Sequence, residues 1–484
     1  MKKFFLHKNA FAKSCVKTMV VVDPSADGTD QDEDDPLNPS SHGAQRSSTL
    51  GCRHVIVGMC FLLNCISYAD RTNLSVALVA MTREFGWSSA TSGSLLAAFF
   101  LGYLWTQIPG GMMAAKYGAK PVLLTGVLCW SVLTLATPAA ARFSTGALWS
   151  VRVLVGLAEG VSMPSIHALL SVWVPAGERS RSLALTSSGQ FLGTVAAFAS
   201  ARLVDEWWPA IFYLFGSLGF VWAVAFAALC SSHPAEHRCI GDVELQSIGA
   251  RRSARSPAPP PTRLAWRALL QEPAFLSICA AHFSINWGSY LLLSWLPKYL
   301  VHLGAKLGEG GALFSTPYLA AIFFDNVGGW VADEVLLRRF GCSLRRVRKA
   351  IQAAANLVPA ACFVALCGVR EPATATALLT VAICFASLSH SACMANILDL
   401  TAGSAAHAGL LMGVANTVGT LPGIMANLIT GRMLGSGHDG RQHWEHVFGL
   451  GVAVYIAGLV VYLRYAQGRP IFGGAEVSAC KGPH

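Results

Sequence analysis

Charge is what this sequence has least of. Asp, Glu, Lys and Arg together make up 13% of its 484 residues, about half the share found in a soluble globular protein. Hydrophobic residues make up 53%. Such a chain has too little polar surface to face water. That excludes a row of soluble domains, which length alone would allow at roughly 150 residues each. The solvent that fits is lipid. No Cys-x-x-Cys pair occurs among the 14 cysteines, so the sequence carries neither a zinc nor a redox motif of that type. Cys60, Cys65, Cys129, Cys279, Cys384 and Cys393 lie in apolar stretches and read as small apolar filler. His443-Trp444-Glu445-His446 lacks metalloprotease spacing, and no His/Asp or Cys/His cluster marks a catalytic centre. The expectation is a protein that is not an enzyme and has no metal and no cofactor. The net charge of +10 does not point to nucleic acid, because the bases come in short bursts between apolar runs. Anionic lipid headgroups are the simpler partner.

The first part of the chain differs from the rest. Residues 1–22 hold five lysines and no acid, and residues 30–35 form an acidic run. Residues 1–53 read as a disordered tail, most simply a cytosolic one. Beyond it, apolar stretches recur, each long enough to cross roughly 30 Å of hydrocarbon as a helix. Six lie near 54–81, 89–113, 121–141, 148–174, 182–203 and 210–230. A basic, proline-rich linker, 231–271, follows. Six more lie near 273–300, 311–337, 350–367, 374–397, 405–433 and 445–465, before a tail at 467–484. The expected fold is an all-α membrane protein with twelve transmembrane helices in two six-helix bundles, 54–230 and 272–466. Loops rich in Lys and Arg face the cytosol. Lys116, Lys120, Arg179, Arg181, the linker and the 338–349 cluster place both termini there. Similar loops after the second helix of each half, Gly110-Gly111 through Gly118 and Gly328-Gly329 through Asp333, mark an internal repeat. Duplicated halves with a site between them describe a secondary transporter.

Ionisable residues inside apolar runs are costly, about 2.5–3.5 kcal/mol each on insertion scales, and mark function by default. Four stand out: Asp70, Arg71, Arg152 and Glu159. Asn64, Tyr68, Arg71 and Ser75 share one helical face. Arg152 and Glu159 are two turns apart, about 10 Å along one face. Arg71 and Arg152 offer planar forks suited to carboxylate or phosphate. Asp70 and Glu159 offset them when no cargo is present. A proton on Glu159, or a sodium ion near Asp70, then makes the site net positive and attracts an anion. Arg152 near the outer membrane end, its stem reaching the interface, is the blander alternative.

Weaker signals surround these. His282, Asn286 and Ser289 form a stripe expected to face a cavity, and Asn416, Thr420, Gly423 and Asn427 form another. Gln107 and Gln190 read as interhelical hydrogen-bonding amides, and His390 as an interhelical histidine. Asp325 has no evident role. Gly156-x3-Gly160, Gly189-x3-Gly193, Gly409-x3-Gly413 and Gly419-x3-Gly423 allow close helix approach, and Pro164, Pro317 and Pro422 allow bends.

The most specific stretch is Arg152-x3-Gly156-x2-Glu159-Gly160-x3-Pro164, Trp173-x-Pro175, Glu178-Arg179-Ser180-Arg181-Ser182. With it go Asp70-Arg71, Phe99-Phe100-x-Gly102-Tyr103-x2-Thr106-Gln107 and Gly110-Gly111. Later come Asn286-Trp287-Gly288, Leu293-Ser294-Trp295-Leu296-Pro297, Asn396-x2-Asp399 and Gly413-x2-Asn416-Thr417-x-Gly419. Over about residues 54–466 the chain resembles the anion:cation symporter family of the major facilitator superfamily. That family includes plant plastid-type phosphate transporters, sialic-acid symporters, and vesicular glutamate and nucleotide carriers. The resemblance implies substrate-anion arginines at Arg71 and Arg152, a protonatable coupling carboxylate at Glu159, and its accompanying acid at Asp70. Tyr68, Asn286 and Asn416 join the expected substrate site, and Gly110, Gly111, Glu178, Arg179 and Asp333 the expected gating and structural set. Ala115 stands where the family usually has an acid, which leaves the cytoplasmic lock to Asp333. Leu96 and Ile285 stand where the glutamate branch carries histidine and arginine, which counts against glutamate. Asn286-Trp287-Gly288 looks closest to the plant phosphate branch, and the Leu-Ser-Trp-Leu-Pro run also resembles the nucleotide branch.

The expected function is alternating-access transport of a small anion, inorganic phosphate first, coupled to sodium or protons. An organic anion (nucleotide, sugar acid or dicarboxylate) is the alternative. A non-transporting membrane scaffold or receptor has no use for buried Arg71, Arg152 and Glu159. The expected protein is a monomer in the bilayer of the plasma membrane, a plastid envelope or a vesicle.

Overall fold

The computed structural model describes residues 51–175, 178–249, 271–308, 310–400, 405–435 and 440–468. Nearly all of the two expected tails, and residues 250–270 of the expected linker, lie outside them. Every regular element among the described residues is a helix. The long ones are α1 Cys52–Phe85, α2 Ser89–Tyr117, α3 Ala119–Phe143, α4 Thr145–Trp173, α5 Arg179–Ala199 and α6 Pro209–Leu229. After the linker come α7 Pro273–His302, α8 Gly311–Trp330, α9 Leu344–Leu366, α10 Pro372–Ser387, α11 Ala405–Met433 and α12 Gly440–Tyr465. By length and composition α1, α2, α3, α4, α6, α9, α10 and α12 suffice to cross a membrane, α10 counted to Ile397 and α12 from His443. The protein is a multi-pass membrane protein. The other four, α5, α7, α8 and α11, are also long enough. They carry Gln190, His282, Asn286, Asp325 and Asn416, and their places in the bundle explain why.

Local chemistry sets the ends. α1 stops at Gly86, whose φ of 66° is left-handed and suits glycine. Ser88 and Ser144 cap the next helices, each hydroxyl accepting a backbone N–H, from Thr91 at 3.1 Å and Ala147 at 3.0 Å. α4 is broken at Gly160–Val161 into Thr145–Glu159 and Ser162–Trp173. Pro164 has no N–H to offer the Gly160 carbonyl, so the ladder lapses one residue past Glu159. The expected linker is folded in its first part. Its helix Asp242–Gly249 docks on the start of α1, where Glu244 accepts the free N–H groups of Cys52 and Arg53, each at 3.0 Å. A carboxylate is favoured there by the orphan donors and the helix dipole.

Within the first half, glycines let backbones touch. A Cβ at Gly102 or Gly156 would run into the facing α4 or α2 backbone, and one at Gly189 or Gly193 into the carbonyls of Phe61 or Cys65 on α1. Gly413 faces open space, so that glycine forms no seam. The halves meet through α2 with α11, α5 with α8, and α1 with α7. Their ends away from the start of α1, the outer ends if the loop charges set the orientation, share one apolar core, from Leu74 and Phe198 to Trp295, Phe314 and Trp444. At the inner ends the cores are separate: one around Leu123, Trp130 and Trp173, another around Phe275, Ile397 and Tyr462. The molecule is therefore sealed at the outer end and divided at the end that holds the start of α1.

Candidate functional site

Midway between these ends α1 turns a polar face inward. The helix runs unbroken through Asp70 and Arg71 to Phe85, so neither residue sits at a helix end. Arg71 and Arg152 are 6% and 2% exposed, Asp70 1% and Glu159 0%. Neither arginine reaches an interface. Arg71 Nη2 donates to Glu159 Oε1 at 2.5 Å, and the Ser67 hydroxyl donates to the same oxygen at 2.6 Å. The guanidinium carbon of Arg71 lies 4.5 Å from the Tyr68 ring centre and 4.8 Å from those of Phe99 and Tyr103. Arg152 shares Phe99, at 5.6 Å. Desolvated cation–ring contacts of this kind are worth about 2 kcal/mol. Asp70 accepts from Asn73 Nδ2 at 3.1 Å and feels the charges of Arg152 and Glu159.

The cluster is not saturated. Nε of both arginines, Oε2 of Glu159 and Oδ2 of Asp70 are buried without a hydrogen-bond partner. Buried donors left open cost stability. Two forked cations with spare donors in a dry site are suited to an oxyanion.

Beside this cluster lies a cavity of about 120 Å³ between the halves. Tyr68 forms its first-half wall with Gln190 and Thr194 of α5; His282, Asn286 and Ser289 of α7 face it as the stripe foretold, and Ile285 with them. Asn286 Nδ2 donates to His282 Nε2 at 3.1 Å and to the Gly419 carbonyl at 2.8 Å, which ties α7 to α11. Asn416 is placed differently: its amide donates to Gln107 Oε1 at 2.6 Å, and Gln107 donates to Thr420 at 2.8 Å. Gly423 abuts Phe100, and Asn427 accepts from Trp295 Nε1 at 2.9 Å. The α11 stripe thus faces neighbouring helices. Asp325 and His390, read apart in the sequence, meet at 3.2 Å.

Of the gating set, Gly110 packs on Val161 and Gly111 on Pro164, where α4 breaks. Glu178 pairs with Arg53 at 3.1 Å on the inner face. The side chains of Arg179 and Asp333 lie outside the described set. Sequence reasoning missed Ser67, and it read Tyr103 as part of a motif without placing it in the site. Ser67 lies one turn before Arg71 on the same face, but a small hydroxyl in an apolar run carries no distinguishing signal.

Residues 60–427 match the family model of the Major Facilitator Superfamily. The chain is 38% identical over 422 residues to the "Ascorbate transporter, chloroplastic" of Arabidopsis thaliana, covering 87% of this chain and 76% of that protein. It is 36% identical over 422 residues to the "Sodium-dependent phosphate transport protein 1, chloroplastic" of the same plant, covering 87% and 80%. It is 31% identical over 481 residues to sialin of Homo sapiens, covering 91% and 95%. Among solved structures, a bacterial homologue of the human lysosomal transporter Spinster, in an inward-facing and occupied conformation, superposes with a TM-score of 0.66 at 15% identity, covering 85% of this chain and 96% of that one. This last likeness shows the shared helical fold. By these matches, and with its buried Arg71–Glu159 pair, the chain belongs to the anion:cation symporter family of the major facilitator superfamily.

Proposed function

We propose that this anion transporter of the major facilitator superfamily carries inorganic phosphate by alternating access, driven by sodium ions or protons. The observation that carries the reading is Arg71 held by Glu159 behind Tyr68, next to a cavity between two halves sealed at one end. With Glu159 ionised, Arg71 is neutralised. A proton on Glu159 removes that partner and leaves the guanidinium to the anion. Arg152 feels the charge of Glu159 first and that of Asp70 second, so a cation at Asp70 leaves Arg152 freer for the anion as well. The anion and the coupling ion then enter together, because each lowers the cost of the other's charge in a low-dielectric site.

A second reading has its own support. The relative named as an ascorbate transporter is 38% identical to this chain, and the cavity's aromatic walls offer more apolar contact than an inorganic anion uses. An organic anion of about sugar-acid size is therefore the alternative cargo.

Uptake into proteoliposomes separates the two. Labelled phosphate and ascorbate are offered under an imposed sodium gradient and, separately, an imposed proton gradient. Phosphate is expected to accumulate, with Arg152→Ala and Arg71→Ala each abolishing uptake. Unchanged uptake in both variants removes the arginines from the site. Accumulation of ascorbate alone replaces phosphate as the cargo.

A further inference from the structure

The wall of the cavity that belongs to the second half has no Lys or Arg among its described lining residues. Two histidines line it, His282 and His390. His282 is tied within its own helix, its Nε2 lying 3.1 Å from Asn286 Nδ2. His390 is different. Its Nδ1 donates to Asp325 Oδ1 on α8 at 3.2 Å, and its side chain is 47% exposed while Asp325 is 23% exposed. Asp325 is not among the lining residues; it bonds His390 from α8, as Glu159 bonds Arg71 from α4. His390 also opens a π-helical turn, His390–Met394, in the continuation of α10. Such widened turns recur at functional sites.

The elements packed on this turn are α7, α8, α9 and the short helix Ala395–Leu400 that follows it. Their ionisable groups nearest His390 are His282, Asp325 and Arg348. Arg348 Nη1 donates to the Ser391 carbonyl at 2.5 Å, and its charge is answered by Asp399 at 2.9 Å. Asp325 is therefore the carboxylate that answers His390.

We propose that His390, with Asp325 as its resting counter-ion, is the anion-contacting cation of the second half. The cargo is then gripped between Tyr68 and Arg71 on one side and the His390 imidazolium on the other. As the anion arrives it takes the place of Asp325, just as it takes the place of Glu159 at Arg71. A contact from each half gives the bound anion a hold on both moving bodies, which a site built on one half lacks. This rests on the reading of the chain as an anion carrier and not on the choice of phosphate.

The test uses the full chain. Exchange of labelled phosphate and of labelled ascorbate in proteoliposomes, and thermal stabilisation of the purified protein by each anion, are measured at about pH 5.5 and about pH 7.5, on either side of the ordinary histidine range. Ascorbate keeps a single charge between these values, so its pH dependence reports groups on the protein. Wild type is expected to bind more tightly in acid. His390→Gln is expected to raise KM about tenfold in acid and to flatten the pH dependence, the loss of one charge-assisted contact. His390→Lys keeps tight binding at both pH values, a rescue that a merely structural α8–α10 tie would not give. A His390→Gln protein with wild-type KM and pH profile overturns the proposal, and so does His390→Lys behaving like His390→Gln. If ascorbate is exchanged and phosphate is not, the phosphate reading fails and the His390 comparison is decided on ascorbate. If neither anion binds or moves in wild type, the proposal fails together with the carrier reading.

Discussion

The two halves solve the same problem with different chemistry. The first half buries permanent charge: Arg71 and Arg152 against Glu159 and Asp70, all 6% exposed or less and wrapped in aromatic rings. The second half, among its described residues, lines the neighbouring cavity with amides, hydroxyls, tyrosines and two histidines, one of which, His390, bonds Asp325. A buried ion pair is weak evidence of stability, because desolvation offsets most of its attraction. The sharper reading is that the first half stores an interaction that cargo can replace, while the second offers a softer, exchangeable surface. This comparison yields three further tests.

The largest effect is expected at Glu159. Glu159→Gln keeps a carbonyl oxygen for Arg71 and Ser67 but cannot take up or release a proton. Exchange of anion across the membrane should continue, while accumulation against a gradient should be lost entirely. Full concentrative uptake by this variant would show that the coupling group lies elsewhere, and the contrast between the halves would lose its meaning.

Next comes the seam that aims these charges. Gly156 lies against the Phe99 carbonyl and the Tyr103 N–H of α2. A side chain there meets backbone, which cannot step aside as a flexible side-chain tip can. Gly156→Val should cost about 1–3 kcal/mol, the usual price of overpacking, seen as a lowered Tm of the purified protein. Gly413 has nothing within 4 Å of a would-be Cβ, so Gly413→Val should stay within about 0.5 kcal/mol of wild type. Equal stability of the two variants would mean that α2 and α4 are not in backbone contact.

That seam also explains how far the sequence could be read. Apolar runs located the helices well. The first was expected at 54–81 and is Cys52–Phe85; the second was expected from 89 and starts at Ser89. The ends run longer than expected because hydropathy falls at the hydrocarbon edge, whereas helical hydrogen bonds continue into the headgroup region until a Gly86 or a Ser cap intervenes. Shared faces within one helix were legible too, as with Tyr68 and Arg71. What periodicity cannot give is which face meets which across helices. That Arg71 bonds Glu159 while Arg152 shares Phe99 depends on α2 wedging between, at a depth fixed by Gly102 and Gly156. Asp325 and His390 were both visible as oddities, but 65 residues apart; only the packing of α8 on α10 makes them a pair. Asn416 carried the pattern for a cavity wall but does not itself line the cavity: its amide donates to Gln107 of α2, and it bonds His282, which does line it.

The smallest effect is expected where the halves close at the outer end. Lys298 Nζ of α7 donates to Ser89 Oγ of α2 at 2.9 Å and lies 5.4 Å from the Trp295 ring centre. It is a polar tether set into an otherwise apolar closure, whose shared core from Leu74 to Trp444 remains when the tether is cut. Lys298→Met removes one hydrogen bond, about 1 kcal/mol, and should shift the balance toward outward opening about fivefold. The readout is labelling of a Ser92→Cys variant by an impermeant thiol reagent from the outer side, since Ser92 is 2% exposed in the sealed state. Faster labelling in the Lys298→Met background shows that the tether biases the seal. Unchanged labelling shows that apolar packing alone keeps the outer end shut, and the two ends of the molecule then differ only in how much core they share.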